Sequence, residues 1–300
     1  MSKSYVWYVT YGSNTLKERF MVYINGGKFR GKGKGTNNAP YRGCRDQTPP
    51  LADKPFLIPY EMYYGRESKL WNNGGIAFID ADRPGITLGR AYLITEEQFA
   101  EIQEQEGPIW YQRVVEIAKD ADGTPYKTFT GASRYQGNAP SKNYTDIIFE
   151  GVCETYYPHL PYGRFHRLMG EAIKHLGKPY APSRRDDGQG RGPDSFDCVW
   201  FVGWVFRESG VDDILKRYAL PRLDNAFEKI GTTEIKLEGD VLFFCKPPSD
   251  EITHVGIYIG YNLMLHATRP IGHDTGSVRI DDITKGDWLD RLVAVGRNSV

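Results

Sequence analysis

The chain has 300 residues, with 38 basic and 38 acidic side chains, no net charge, and 40% apolar content. That is apolar material for one large core or two ordinary ones, and the charge balance argues against broad electrostatic binding to nucleic acid or an anionic membrane. No apolar run reaches the ~18 residues of a spanning helix, and residues 1–11 lack the apolar stretch of a signal peptide, so the expected compartment is the cytoplasm.

Residues 5–11 alternate as an aromatic strand that ends in the turn Gly12-Ser13-Asn14. Leu16, Phe20, Tyr23 and Ile24 then fall on one helical face, stopped by Gly26-Gly27. Residues 28–55 read as a long loop. Its Lys28, Arg30, Lys32 and Lys34 suit a solvated surface, with a phosphate or carboxylate grip as the lesser alternative. Strands are expected near 56–63, 75–80 and 88–94. Thr95 and Gln98 have the spacing of a capping box for a helix running to Glu106 and ended by Gly107. Strands near 111–118 and 125–131 follow, then a helix from about 142. Pro158-His159-Leu160-Pro161-Tyr162-Gly163 is the linker candidate, which places two domains at 1–163 and 164–300. Beyond it, Phe165, Leu168, Met169, Ala172, Ile173 and Leu176 mark an apolar helix face before Gly177. Residues 199–206 are apolar on every side, as in a buried helix, and 254–260 and 263–267 read as two strands around a Gly260-Tyr261-Asn262 turn.

The four cysteines, Cys44, Cys153, Cys198 and Cys245, form no CxxC pair, so neither a zinc ribbon nor a redox motif is indicated. Cys153 and Cys245 sit in apolar stretches and read as inert core, while Cys44 falls in a polar loop. Cys198 opens the apolar helix, where the helix N-terminus favours a thiolate. In a regular hairpin centred on residue 260, His254 pairs with His266 on one face, with Cβ atoms about 4.5–5.5 Å apart. One imidazole could then take the thiol proton while the other orients it. The same residues also suit a core cysteine with two structural histidines. A Cys/His/His metal site fits less well, because no close ligand pair anchors it.

Residues 165–300 resemble the NlpC-type, papain-like cysteine peptidases. The resemblance is carried by Leu176-Gly-Lys-Pro-Tyr180, Phe196-Asp-Cys198, Leu220-Pro-Arg222, Gly239-Asp-Val-Leu-Phe-Phe244, His254-Val-Gly-Ile-Tyr-Ile-Gly260 and His266-Ala267, in that order. It implies Cys198 as nucleophile, His254 as base and His266 as the orienting third residue, with Tyr180 and Asp197 lining the substrate cleft. Many members cleave the γ-D-glutamyl–diamino acid bond of cell-wall peptides. Val199-Trp200 stands where the family usually has Ser-Gly, and 181–187 replaces an aromatic-glycine stretch, so the pocket beside the nucleophile differs.

In the first half, the turn after the first strand presents backbone N–H groups that could cradle a carboxylate. Glu106 ends a helix that already carries Glu101 and Glu104, and negative charge there opposes the macrodipole. If buried, Glu106 would have a raised pKa and suit acid–base work. An exposed glutamate before a cap glycine is the plainer reading of the same fact.

Residues 5–160 resemble the γ-glutamylcyclotransferase family through Tyr11-Gly-Ser-Asn14, Trp71-Asn-Asn-Gly-Gly-Ile-Ala77, Glu104-Gln-Glu106-Gly107 with Tyr111, and Ala139-Pro-Ser141 with Tyr144 and Gly151. The resemblance implies that Tyr11, Gly12, Ser13 and Asn14 hold the glutamyl α-carboxylate, and that Tyr111 and Tyr144 line the substrate site. Glu106 would deprotonate the α-amine for attack on the γ-carbonyl, closing 5-oxoproline and releasing an amine. The expected fold is therefore α+β in two domains, a small cyclotransferase-like β-barrel with helices followed by a papain-like domain. The expected function is a cytosolic two-site enzyme acting on γ-glutamyl amides of a small molecule or peptide. No nucleotide, flavin or metal fingerprint is present. The alternatives are a lone Cys198 peptidase whose first domain only recognises substrate, and a toxin or lysin acting on cell-wall peptide.

Overall fold

The computed structural model describes residues 3–34, 37–107, 109–181, 193–212, 227–269 and 275–297. The Leu220-Pro-Arg222 segment and all but the first residue of 181–187 lie outside them. The chain divides into two compact units, Met1–Leu160 and Pro161–Val300.

The first unit is an open sheet with helices packed on it. Strand β1 (Tyr5–Thr10) is followed by α1 (Lys17–Asn25), β2 (Ala52–Ser68), β3 (Gly74–Thr95), α2 (Glu96–Glu106), β4 (Arg113–Lys119), β5 (Pro125–Thr130) and α3 (Lys142–Tyr156). The strand order is β4-β5-β1-β3-β2, and only the β1–β5 pairing is parallel. Among the described residues no ladder joins β2 to β4, so the expected barrel is left unclosed. The two strands expected at 75–80 and 88–94 are one 22-residue strand. Pro84 and Gly85 do not break it, because the partner strand absorbs the irregularity with register shifts on either side of Tyr60. The Thr95–Gln98 capping box is formed in both directions, and Gly107 ends α2 at positive φ. The buried faces of β1 and β3 meet Phe20 of α1, whose ring stacks on Tyr92 at 4.0 Å.

The second unit runs α4 (Arg164–Ala172), α5 (Cys198–Glu208), β6 (Glu228–Ile230), β7 (Val241–Lys246), β8 (Ser249–Tyr258), β9 (Leu263–Thr268), β10 (Ser277–Asp282), α6 (Trp288–Arg291) and β11 (Leu292–Arg297). Its strands lie in the order β10-β9-β8-β7-β11-β6, all neighbours antiparallel. Helix α5 packs across β8 and β9, with Phe201, Val202, Val205 and Phe206 fully buried. The apolar run at 199–206 is thus the central helix, and it lies on the two strands that carry the histidines.

All four cysteines are free. Cys44, read from the sequence as part of a polar loop, is buried with its thiol donating to the Tyr23 carbonyl at 3.3 Å. The loop folds back onto α1, through the Cys44 N–H bonded to the Ile24 carbonyl, and that contact buries it.

Candidate active sites

In the first unit, Tyr11, Gly12, Ser13, Asn14, Glu106, Tyr111 and Tyr144 line one cavity of about 540 Å³. β1 delivers the turn, which closes as a short 3-10 segment, Ser13–Thr15. Glycine is required at position 12 by close approach, because a Cβ there would stand 2.9 Å from the Tyr144 hydroxyl. That hydroxyl accepts from the Ala77 N–H at 3.1 Å, while the Tyr111 hydroxyl donates to the Ala77 carbonyl and Tyr11 to the Phe129 carbonyl. Burial holds all three phenols in the protonated form.

Glu106 differs from the other glutamates of its helix. Glu101 is paired with Arg45 and Glu104 with Arg42, both arginines coming from the loop that precedes β2. Glu106 accepts from Asn14 Nδ2 at 2.5 Å and from the Tyr23 hydroxyl. It is half-buried because it faces the cavity, with protein packed around its other sides. Burial raises its pKa, against the opposing pull of Arg19, Tyr23 and Asn14. The buried Arg19, which the sequence reading did not single out, donates from Nη2 to the hydroxyls of Tyr23 and Tyr41 at 2.9 and 2.7 Å. Arginine only donates, so the Tyr23 oxygen accepts from it and keeps its own proton for Glu106. A carboxylate held this way can accept a proton from a bound amine without being neutralised by a direct ion pair.

In the second unit, Asp197 caps α5 by accepting from the Trp200 N–H at 2.7 Å, which places Cys198 in the first turn. The backbone N–H of Val255, next to His254, reaches the Cys198 sulfur. The surroundings oppose the thiolate expected at a helix N-terminus. Burial, and then the Asp197 charge, push the thiol up to about 12, outweighing the N–H donors around it. Burial also lowers the His254 pKa, helped by His266 and Arg291. Both shifts favour the neutral thiol and neutral imidazole over the ion pair.

His254 Nε2 lies 2.7 Å from His266 Nδ1. The hairpin register is not the expected one. Gly260, Tyr261 and Asn262 all take positive φ and form a three-residue loop, so Ile257 pairs with Leu265 and Gly256 falls opposite His266. The offset is even, so both histidines still share a face. Gly256, lacking a side chain, leaves the space through which the two rings meet diagonally.

The sequence reading missed three further groups at this site. Asp281 Oδ2 on β10 lies 3.2 Å from His266 Nε2, in a contact bent away from ideal N–H···O alignment. Burial works to raise the Asp281 carboxyl, but the neighbouring His266 ring and the Arg279 guanidinium, paired with it at 2.7 Å, hold it down to about 2. Trp288 of α6 packs against both imidazoles, with centroids 5.2 Å away. Gly256 is the third. Only Asp281 left a legible trace, since the alternation Val278-Arg279-Ile280-Asp281 puts the two charged residues on one strand face. Tyr180, half-buried, is bonded by its N–H to the Gly276 carbonyl, and its hydroxyl lies near enough to Cys198 and Asp197 for their charge to raise its pKa behind burial.

Residues 187–297 match the NlpC/P60 family. The second unit carries an NlpC/P60 domain. The chain is 36% identical over 134 residues to a probable endopeptidase p60 of Listeria seeligeri, covering 43% of this chain and 21% of the relative. It is 34% identical over 140 residues to the bifunctional muramidase/DL-endopeptidase CwlT of Bacillus subtilis, covering 44% and 36%. It thus spans about a fifth to a third of the length of these relatives. Among solved structures it is similar to a gamma-glutamyl cyclotransferase, at 20% identity and a TM-score of 0.39, over 63% of this chain and 95% of that one. Among the described residues, no group of three or more His, Cys, Asp or Glu is placed to hold a metal, and no helix is long and apolar enough to cross a membrane.

Proposed function

We propose that this protein is a cytosolic enzyme with two active sites for γ-glutamyl amides of small molecules or peptides. The observation that carries the reading is the run Cys198, His254, His266 at the foot of the central helix of an NlpC/P60 domain. His254 takes the proton from Sγ as the sulfur attacks the amide carbonyl carbon. The C–N bond breaks, the amine leaves with that proton, and water then cleaves the thioester. His266 holds the His254 ring throughout.

In the first unit, Glu106 takes a proton from the α-ammonium of a γ-glutamyl amide. The freed nitrogen attacks its own γ-carbonyl carbon, sheds a second proton as the lactam forms, and the amide C–N bond breaks; Glu106 relays both protons to the leaving nitrogen, which departs as an ammonium. Products are 5-oxoproline and the free amine, and ring closure draws on the high effective molarity of an intramolecular attack. The two steps need different substrates, since cyclisation requires a free α-amine, whereas cell-wall peptide carries alanine there.

Product identification by mass spectrometry tests the reading, using γ-glutamyl compounds with free and with acylated α-amines. The expected result is 5-oxoproline from free-amine substrates only, lost in Glu106→Gln and kept in Cys198→Ala, with hydrolysis showing the opposite dependence. A second reading is favoured by the family match falling wholly in the second unit: the first unit then recognises γ-glutamyl groups without chemistry. Absence of 5-oxoproline from every substrate would select it.

A further inference from the structure

We infer that the cavity of the first unit is built for γ-glutamyl amides whose amine portion is large, flat and apolar. The inference rests on the γ-glutamyl reading of the Glu106 site and adds the class of the group that leaves. At about 540 Å³ the cavity falls in the range of roughly 300–1,000 Å³ that holds drug-sized ligands, and a five-carbon glutamyl group leaves most of it empty. The polar groups that suit the glutamyl end are the turn, Glu106, Tyr111 and Tyr144. Beside the Arg19, Tyr23 and Tyr41 cluster, apolar lining is supplied by Leu70 and Trp71, in a short 3-10 turn between β2 and β3, and by Ile109 and Trp110, just beyond the Gly107 stop.

Both tryptophans are fixed before any ligand arrives. The Trp71 ring packs on Tyr144 at 4.9 Å. The Arg66 guanidinium lies over Trp110 at 5.2 Å and over Tyr135 at 4.5 Å, and the Tyr135 hydroxyl donates to the Trp110 carbonyl at 3.3 Å. Ile109, 70% exposed, extends the apolar wall to the mouth. The charges on this side, Glu67, Lys69 and Lys34, are exposed at the rim, and Lys34 is already bonded to the Gln105 carbonyl at 2.5 Å. Preset aromatic walls reward a planar apolar group without an ordering cost and offer little to glycine or a small polar amine.

The test is a calorimetric titration of the full-length Glu106→Gln protein, in which turnover is suppressed, with γ-glutamyl-phenylalanine, γ-glutamyl-tryptophan and γ-glutamyl-glycine. The aromatic compounds should bind at least about tenfold tighter than the glycine compound, and Trp110→Ala, added to the same protein, should erase that gap while leaving glycine-compound binding within about twofold. The ranking itself needs no variant at the wall, so misfolding of Trp110→Ala would not decide the matter. Equal affinities, a preference for glycine, or no binding of any γ-glutamyl amide would overturn the inference. Release of 5-oxoproline by the wild-type chain is read separately. A ranked affinity without 5-oxoproline upholds the cavity inference and sinks cyclotransfer; 5-oxoproline without a ranking does the reverse.

Discussion

Cys198 opens a helix, yet its surroundings disfavour the thiolate. Burial and the neighbouring Asp197 both raise its pKa, and His254 beside it is held neutral. Alkylation by iodoacetamide should therefore be slow at pH 7 and climb steadily toward pH 10, without the low-pH plateau of a thiolate–imidazolium pair. Asp197→Asn keeps an N-cap, since asparagine caps as well as aspartate, but removes the charge. Alkylation of that variant at pH 7 should be faster by about twofold or more, and an unchanged or slower rate would mean that the Asp197 charge does not reach the sulfur.

Asp281 acts one step further out. A carboxylate beside His266 Nε2 favours the tautomer with its proton on that nitrogen, which leaves Nδ1 bare to accept from His254 Nε2–H. His254 Nδ1 is then the free base. Asn no longer requires a proton on His266 Nε2, so Asp281→Asn should lower kcat for Cys198-dependent hydrolysis by at least about tenfold, with KM little changed. It should also alter the pH dependence of Cys198 alkylation. A variant with wild-type kcat and pH profile would leave Asp281 a structural partner of Arg279.

At the scale of elements, the β8–β9 hairpin separates what the sequence discloses from what it conceals. Even spacing puts His254 and His266 on one face of any hairpin whose loop holds an odd number of residues, because side-chain direction alternates along each strand. The pairing partner was not legible, because it depends on whether the hairpin centres on residue 260 or 261, and three consecutive positive-φ residues decide that. The same limit explains β3, where a Pro-Gly pair looks like a break until the partner strand is seen to bulge around it. The Glu106 helix was readable to its cap. That Glu106 lines the cavity while Glu101 and Glu104 are taken by arginines was not, since it depends on Arg42 and Arg45 arriving from a loop some sixty positions earlier in the chain. Gly256 follows from the hairpin geometry: a Cβ there would sit 3.1 Å from His266 Cβ and 3.1 Å from Met264 Sδ. Met264 can yield, but His266 Cβ is fixed to its strand. Gly256→Ala should cost about 1–3 kcal/mol in stability, read as a lower thermal midpoint. Hydrolysis should fall well beyond that loss, because the 2.7 Å imidazole contact must open. Retained activity at an unchanged midpoint would show that the strands have room to part.

At the scale of the whole molecule, each unit contains its own core and its own candidate chemistry. The first buries Phe20, Phe78, Tyr92 and Ile94; the second buries Phe196, Phe201, Phe206, Phe243 and Phe244. Each has the length at which a single core can sustain a fold, and each candidate site draws its named side chains from one unit. The Glu106 site needs β1, α2 and α3, while the Cys198 site needs α5 and β8 to β10. Fragments 1–160 and 161–300, expressed separately, should each unfold in one cooperative calorimetric transition. Cyclotransfer should travel with the first fragment and thiol chemistry with the second. A fragment that stays unfolded alone would mean that its core is completed by the other unit, and the two sites would then have to be treated as one cooperative system.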